Sequence, residues 1–142
     1  MTIFTSRIDA LLEEYHVMSL AACAGHQHWA APIFYVFDPL RARLLFVTDP
    51  STRHGILLEQ TGRGVATVSG QDWSIPLLRG LQMEGPVRRL DIEDRELAAS
   101  LYMARFSIPA PLRPVYWAFT PLYIKATDNR NGFGYKEEWG AE

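Results

Sequence analysis

Hydroxyls, one guanidinium and one imidazole crowd into a single stretch, Phe46-Val47-Thr48-Asp49-Pro50-Ser51-Thr52-Arg53-His54. Apolar residues Leu44 to Val47 lead into it as a strand, and an amphipathic pattern continues from it as a helix. A helix start leaves backbone N–H groups unpaired and carries a partial positive charge. Ser51 and Thr52 add neutral donors and Arg53 a fixed guanidinium fork, a donor set able to hold a phosphate from several sides. The same residues also fit a plainer role. Asp49 or Ser51 then caps the helix, Pro50 fills its first turn, and Arg53 is solvated. The stretch by itself supports both readings.

Other reactive side chains are scattered. His26-Gln27-His28 place two imidazoles on one side of an extended segment, but no acidic or cysteine partner accompanies them, so a solvated turn is expected and no metal site. Cys23 has apolar neighbours and no local cation to favour the thiolate, which predicts a buried core cysteine. Arg79 interrupts an apolar face, so it must either meet a carboxylate across the fold or face a ligand. Tyr35, Tyr116, Trp117 and Trp139 fit a planar cofactor or a core; Trp139, near the chain end, is expected to need a second subunit to cover it. No residue stands out as a general acid or base.

The elements that must position these groups follow from periodicity. A helix is expected over about residues 3 to 15, with Ile8, Leu11, Leu12 and Tyr15 inward. Val17 to Ala24 and Trp29 to Phe37 read as a hairpin turning at Gly25 and His26, and Arg43 to Thr48 as a third strand. The next helix, about 51 to 60, should turn Ile56, Leu57 and Leu58 inward and stop at Gly62. Gly64 to Ser69 is a strand, and a long one is expected from Ser74 to Leu90. It carries Ile75, Leu77, Leu81, Met83 and Val87 on one face and Gln82, Glu84 and Arg88 on the other, with bends at Gly80 and Gly85-Pro86. Asp91 to Asp94 opens a helix presenting Leu97, Leu101 and Ala104. Prolines 109, 111, 114 and 121 exclude regular helix, after which Val115 to Phe119, Leu122 to Ala126 and Tyr135 to Trp139 return as short strands. The fold class is mainly β: one antiparallel barrel spanning residues 1 to 142, with about three peripheral helices.

Composition narrows the function classes. The chain has 142 residues, nearly half of them hydrophobic, and is long enough for one real core. With 14 basic against 16 acidic residues the net charge is −2, which argues against sequence-independent nucleic-acid binding. A single cysteine and the lack of a signal-peptide pattern predict a reducing, cytoplasmic setting. No apolar run approaches the ~20 residues of a membrane-spanning helix.

Element order and the phosphate-like stretch together resemble the flavin-binding split barrels typified by pyridoxamine 5′-phosphate oxidase. That family carries a strand ending in Phe-Tyr-Thr-Asn, two spacers, then Ser-Arg-Lys opening a helix. Here the register reads Phe46-Val47-Thr48-Asp49, Pro50-Ser51, Thr52-Arg53-His54 without a gap. The segments Leu78 to Gly85 and Arg88-Arg89-Leu90 resemble its later strand. Thr127-Asp128-Asn129, Gly132-Phe133-Gly134 and Trp139 resemble the closing pattern of its YhbP-like branch. The resemblance covers residues 5 to 139.

The resemblance implies FMN as cofactor, held between the subunits of a homodimer. Thr48, Thr52 and Arg53 match positions that contact the flavin phosphate. His54 replaces a lysine and is expected to keep donor capacity with a partial positive charge. Ala31, Pro32, Ile33 and Phe34 match the strand whose backbone lies along the flavin ring, and Arg79 and Gln82 fall on the long strand that borders the cofactor. Two cations usual on the second strand have no counterpart between Ala30 and Val36, and charge-assisted contacts contribute ~1.5–3 kcal/mol each. The glutamine usual on the long strand is Gly80, with Gln82 two residues along. The C-terminal Arg-x-His motif is replaced by Gly132 to Lys136, so oxidation of vitamin B6 is not expected. The implied function is an FMN-dependent oxidoreductase acting on a small molecule. The competing class is a non-catalytic barrel holding flavin, haem or another planar ligand, and a flavin-free structural dimer is the third.

Overall fold

The computed structural model describes residues 3–109 and 113–140. Alternating apolar and polar residues build Val17–Ala24 (β1) and Gln27–Asp38 (β2) into a hairpin. Gly25, at φ 61°, supplies the left-handed residue that a two-residue turn needs. Arg43–Val47 (β3), Arg63–Ser69 (β4), Arg79–Arg89 (β5), Tyr116–Phe119 (β6), Tyr123–Asp128 (β7) and Lys136–Gly140 (β8) complete the strands. Every pairing is antiparallel. Six strands close a barrel in the order β1-β2-β3-β6-β5-β4 and back to β1, while β7 and β8 extend the sheet from β5. The fold is therefore the antiparallel split barrel expected.

Side chains alternating inward from these strands, among them Leu20, Leu44, Phe46, Val68, Leu81, Met83 and Phe119, fill the barrel. Ser6–Glu14 (α1) adds Ile8, Leu11 and Leu12 to that core. Its N-cap, Thr5, accepts a hydrogen bond from the Ile8 N–H at 3.3 Å. Arg53–Thr61 (α2) connects β3 to β4 and packs across β1 and β2. Ile92–Met103 (α3) lies on β2, β3 and β6, where Ala98 and Tyr102 meet Val36, Leu45 and Tyr116.

The long strand turns the corner between the two halves of the barrel. Residues 79–86 of β5 pair with β4 or β7, and residues 87–89 with β6. At the corner, a Cβ on Gly85 would collide with the backbone carbonyl of Thr120. Only a residue without a side chain lets the two chains approach so closely.

Several expectations need correction. The strand starts at Arg79, not Ser74; Ile75–Leu77 is a short 3-10 turn, and Ile75 and Leu77 are exposed. Pro76 lacks the N–H that an interior strand residue must donate. Ile56 is exposed while Leu57 and Leu58 are buried. On α3 the fully inward residues are Ala98 and Tyr102, and Ala104 is exposed. Cys23 is exposed, because it falls on the outward-facing parity of β1. Trp139 needs no second subunit to cover it: its ring sits edge-on to Phe4 with centroids 4.6 Å apart. Pro111 lies outside the described residues. Among the described residues no helix is long and apolar enough to cross a membrane.

Candidate functional site

The junction of β3 with α2 is pinned on both sides of Thr48. Its N–H donates to the Val115 carbonyl at 3.3 Å, and its carbonyl accepts from Trp117 Nε1 at 3.1 Å. The chain then tightens. Asp49 Oδ1 accepts from the Ser51 N–H and the Ser51 hydroxyl, both at 2.8 Å, which holds the Asp49 carboxyl below its usual range. Thr52 is the N-cap of α2: its hydroxyl donates to the Asp49 carbonyl at 2.7 Å and accepts from the Gly55 N–H at 3.1 Å. The cap is thus neither Asp49 nor Ser51, and the Thr52 hydroxyl proton is already committed. Gly55, which sequence reasoning passed over, makes the turn feasible, since a Cβ there would stand 2.7 Å from the Asp49 carbonyl oxygen. A glycine in the first turn of a helix was the available signal.

His54 turns inward from α2. Its Nε2 lies 2.5 Å from Thr48 Oγ1 and 3.3 Å from Thr52 Oγ1. Burial pushes its pKa below the usual 6.5, which disfavours the charged ring. The shift acts to reduce the partial positive charge expected from the sequence. Thr48, Thr52 and His54 therefore form one hydrogen-bonded cluster. Arg53 points elsewhere, its guanidinium carbon 4.1 Å from the centroid of the half-exposed Trp29 ring.

Trp29 lies on a stretch of β2 with an open edge. β3 pairs with Tyr35 to Asp38 only, whereas β1 pairs with Gln27 to Phe34. The Tyr35 N–H donates to the His16 carbonyl at 3.0 Å, on the β1 side. By strand alternation His28, Ala30 and Pro32 direct their backbone groups away from β1. No strand among the described residues receives them. Pro32 fits this parity, because its missing N–H removes no ladder bond. Of the matched strand residues, Pro32 and Phe34 have exposed side chains, Ile33 is buried and Ala31 is intermediate.

The remaining candidates stand apart from this junction. Arg79 meets carboxylates: NH2 is 2.7 Å from Glu14 Oε1 and NH1 3.5 Å from Asp72 Oδ2, and its hydrogen bonding holds Glu14 below its usual pKa. Gln82 is exposed on the outer face of β5, between Thr67 and Lys125. Tyr35, Tyr116 and Trp117 are core residues, and the Tyr35 hydroxyl donates to the Leu12 carbonyl at 2.9 Å. His26 and His28 are exposed at the hairpin end.

No family model matches the chain. A UPF0306 protein from Serratia proteamaculans is 35% identical over 133 residues, covering 94% of this chain and 92% of the relative. The UPF0306 protein YhbP of Escherichia coli O157:H7 is 34% identical over 132 residues, covering 93% of this chain and 90% of the relative. Among solved structures, a haem-binding protein from Mycobacterium smegmatis superposes with a TM-score of 0.73 at 11% identity, over 97% of this chain and 59% of that one. An FAD-binding protein from the same organism gives 0.70 at 13% identity, over 100% of both chains. A candidate pyridoxamine 5′-phosphate oxidase from Listeria innocua gives 0.65 at 16% identity, over 84% of this chain and 94% of that one. At these identities the structural likeness is one of fold, whereas the sequence likeness runs through the whole domain: the chain belongs to the UPF0306 (YhbP) family, on the pyridoxamine 5′-phosphate oxidase-like split barrel.

Proposed function

We propose that this chain binds flavin mononucleotide between two copies of itself and works as an FMN-dependent oxidoreductase on a small, uncharged or weakly charged molecule. One observation carries the reading. The open edge of β2 extends from the Thr48–His54 pair to Trp29, where Arg53 is stacked. An exposed cation, a hydroxyl and helix N–H groups at a junction beside an unpaired strand edge suit a ligand with a phosphate tail and a flat polar-edged ring. Arg53 and the first N–H groups of α2 hold the phosphate, with Thr48 positioned by His54. Thr52 shapes that end of the helix as its cap. Backbone groups of Ala30 and Pro32 read the ring edge, so the side chains from Ala31 to Phe34 are free to vary. When bound, the flavin supplies hydride transfer, and the protein supplies orientation and a dry cleft.

Pairing of two copies is supported by the outer sheet face. Val65 is exposed there with Ala21 and Ala30, all lining two shallow grooves of about 630 and 560 Å³, and Val17 and Phe34 are exposed at the paired ends of β1 and β2. One barrel alone offers too little concavity to enclose a tricyclic ring. A reducing, cytoplasmic setting accords with the unpaired Cys23.

The test is a spectrum of the purified chain from its native host. Flavin absorbance that bleaches with a nicotinamide donor, carried by a dimer in sedimentation, is the expected result. Arg53→Ala should release the flavin. A Soret band in place of flavin bands would assign the cleft to haem, and flavin retained in full by Arg53→Ala would remove the phosphate assignment.

A further inference from the structure

We infer that Arg113 supplies a second positive charge to the phosphate site, a role that rests on the flavin reading above. The β3–α2 junction borders a cavity of about 400 Å³. Thr48, Asp49 and Pro50 form one wall, and Ile108, Arg113 and Val115, from the segment after α3, form the other. The Thr48 N–H bond to the Val115 carbonyl fixes the two walls against each other.

Charge balance makes this cation necessary. A phosphate monoester carries close to two negative charges at neutral pH. On the α2 side Arg53 is the permanent charge, and burial lowers the His54 pKa. Asp49 adds a carboxylate to the cavity wall. One guanidinium against a dianion and a carboxylate leaves the site undercharged. Arg113 is exposed, and among the described residues it has no carboxylate partner. Arg79, Arg88, Arg89 and Arg130 each have one. A guanidinium that lines the same cavity as Thr48 and has no carboxylate partner among the described residues suits an anion there. Asp49, its Oδ1 occupied by Ser51, places a negative charge on the opposite wall of that cavity. The two walls come from distant parts of the chain, so no local motif contains this pair.

Titrating FMN and riboflavin into the full chain, followed by flavin fluorescence, tests the role, because riboflavin lacks the phosphate. Arg113→Ala should weaken FMN roughly tenfold to a hundredfold and leave riboflavin unchanged. Arg113→Lys should restore part of the loss, Asp49→Asn should tighten FMN, and Arg95→Ala on α3 should change neither ligand. Wild-type FMN affinity in Arg113→Ala overturns the inference, as does an equal loss for both ligands. A wild-type chain that binds neither flavin overturns the functional reading and this inference with it. Binding by the wild type with no effect of Arg113→Ala overturns the Arg113 role alone.

Discussion

Nε2 of His54 stands 2.5 Å from Oγ1 of Thr48, so the first residue after β3 and the first turn of α2 are joined by side chains as well as by backbone. The bond gives His54 a positioning task. It holds the Thr48 hydroxyl at one end of the open β2 edge while its own charged form is disfavoured. Burial is the cause of its lowered pKa, and the direction is measurable. In an NMR titration the His54 ring should turn over below 6.5, and added FMN should move the midpoint upward as a dianion arrives. The stability sign follows from the same shift. Below 6.5 the unfolded chain takes up a proton that folded His54 refuses, so stability falls as pH drops through that window. A midpoint at or above 6.5 in the free protein would contradict the desolvation of this half-buried ring.

Arg53 and Trp29 make the second prediction. The stack at 4.1 Å is partly exposed, where such contacts contribute about 0.5–1 kcal/mol. Trp29→Leu should therefore leave the urea midpoint close to wild type. It should still weaken FMN several-fold, because Arg53 loses the surface that holds its guanidinium at the strand edge. In the unsubstituted chain, FMN should quench the fluorescence of Trp29, and the Trp29→Leu chain should lose that part of the quenching. A variant with unchanged FMN affinity would make the stack incidental to binding.

Much of the barrel was legible because strand chemistry is local. Val17 to Ala24 and the Gly25-His26 turn need only alternation and one left-handed glycine, and the sequence carries both. The site was legible as a list of residues but not as an arrangement. Arg53 and His54 are neighbours in sequence, yet one leans over Trp29 and the other bonds to Thr48. Only tertiary packing separates them. The identity of the α2 cap turned on which of Asp49, Ser51 and Thr52 reaches the Gly55 N–H, a difference of one residue that composition does not resolve. Arg79 had two readings, and Glu14, sixty-five residues away, supplies its carboxylate. Alternation alone extends the strand back to Ser74, and Pro76 is the local signal against it.

Acid stability should depend on one buried carboxylate. Asp128 is 1% exposed and lies 2.8 Å from Arg130 NH2 and 2.7 Å from Arg7 NH1, tying α1 to the turn after β7. Hydrogen bonds from Arg130, helped by Arg7 and opposed by burial, hold its pKa at about 2, down from 3.8. A depressed carboxyl stabilises the fold above its unfolded pKa and loses that contribution as pH falls toward the folded one. The difference is about 1–2 kcal/mol after allowance for the exposed Arg130 side. Wild-type urea midpoints should thus decline from pH 4 toward pH 2. Asp128→Asn should start lower at pH 6 and decline less over that interval. Parallel curves for the two proteins would exclude Asp128 as the titrating group.

Gly85 offers the sharpest test of the barrel closure on which the β2 edge depends. Its Cα faces the Thr120–Leu122 backbone where the Leu122 N–H donates to the Glu84 carbonyl at 2.8 Å and the Thr120 N–H to the Pro86 carbonyl at 3.0 Å. A methyl group would have to displace main chain, not a flexible side chain, so Gly85→Ala should cost roughly 1–3 kcal/mol or more. Gly25→Ala is the matched control. Nothing lies within 4 Å of its added Cβ, and only the left-handed backbone at φ 61° opposes the change. Its cost should be about 1–2 kcal/mol from conformation alone. Urea denaturation of the two variants should place Gly85→Ala below Gly25→Ala. If the order reversed, the corner would not be closed by the contact between these two backbones, and β5 would not need its glycine to pass from β7 to β6.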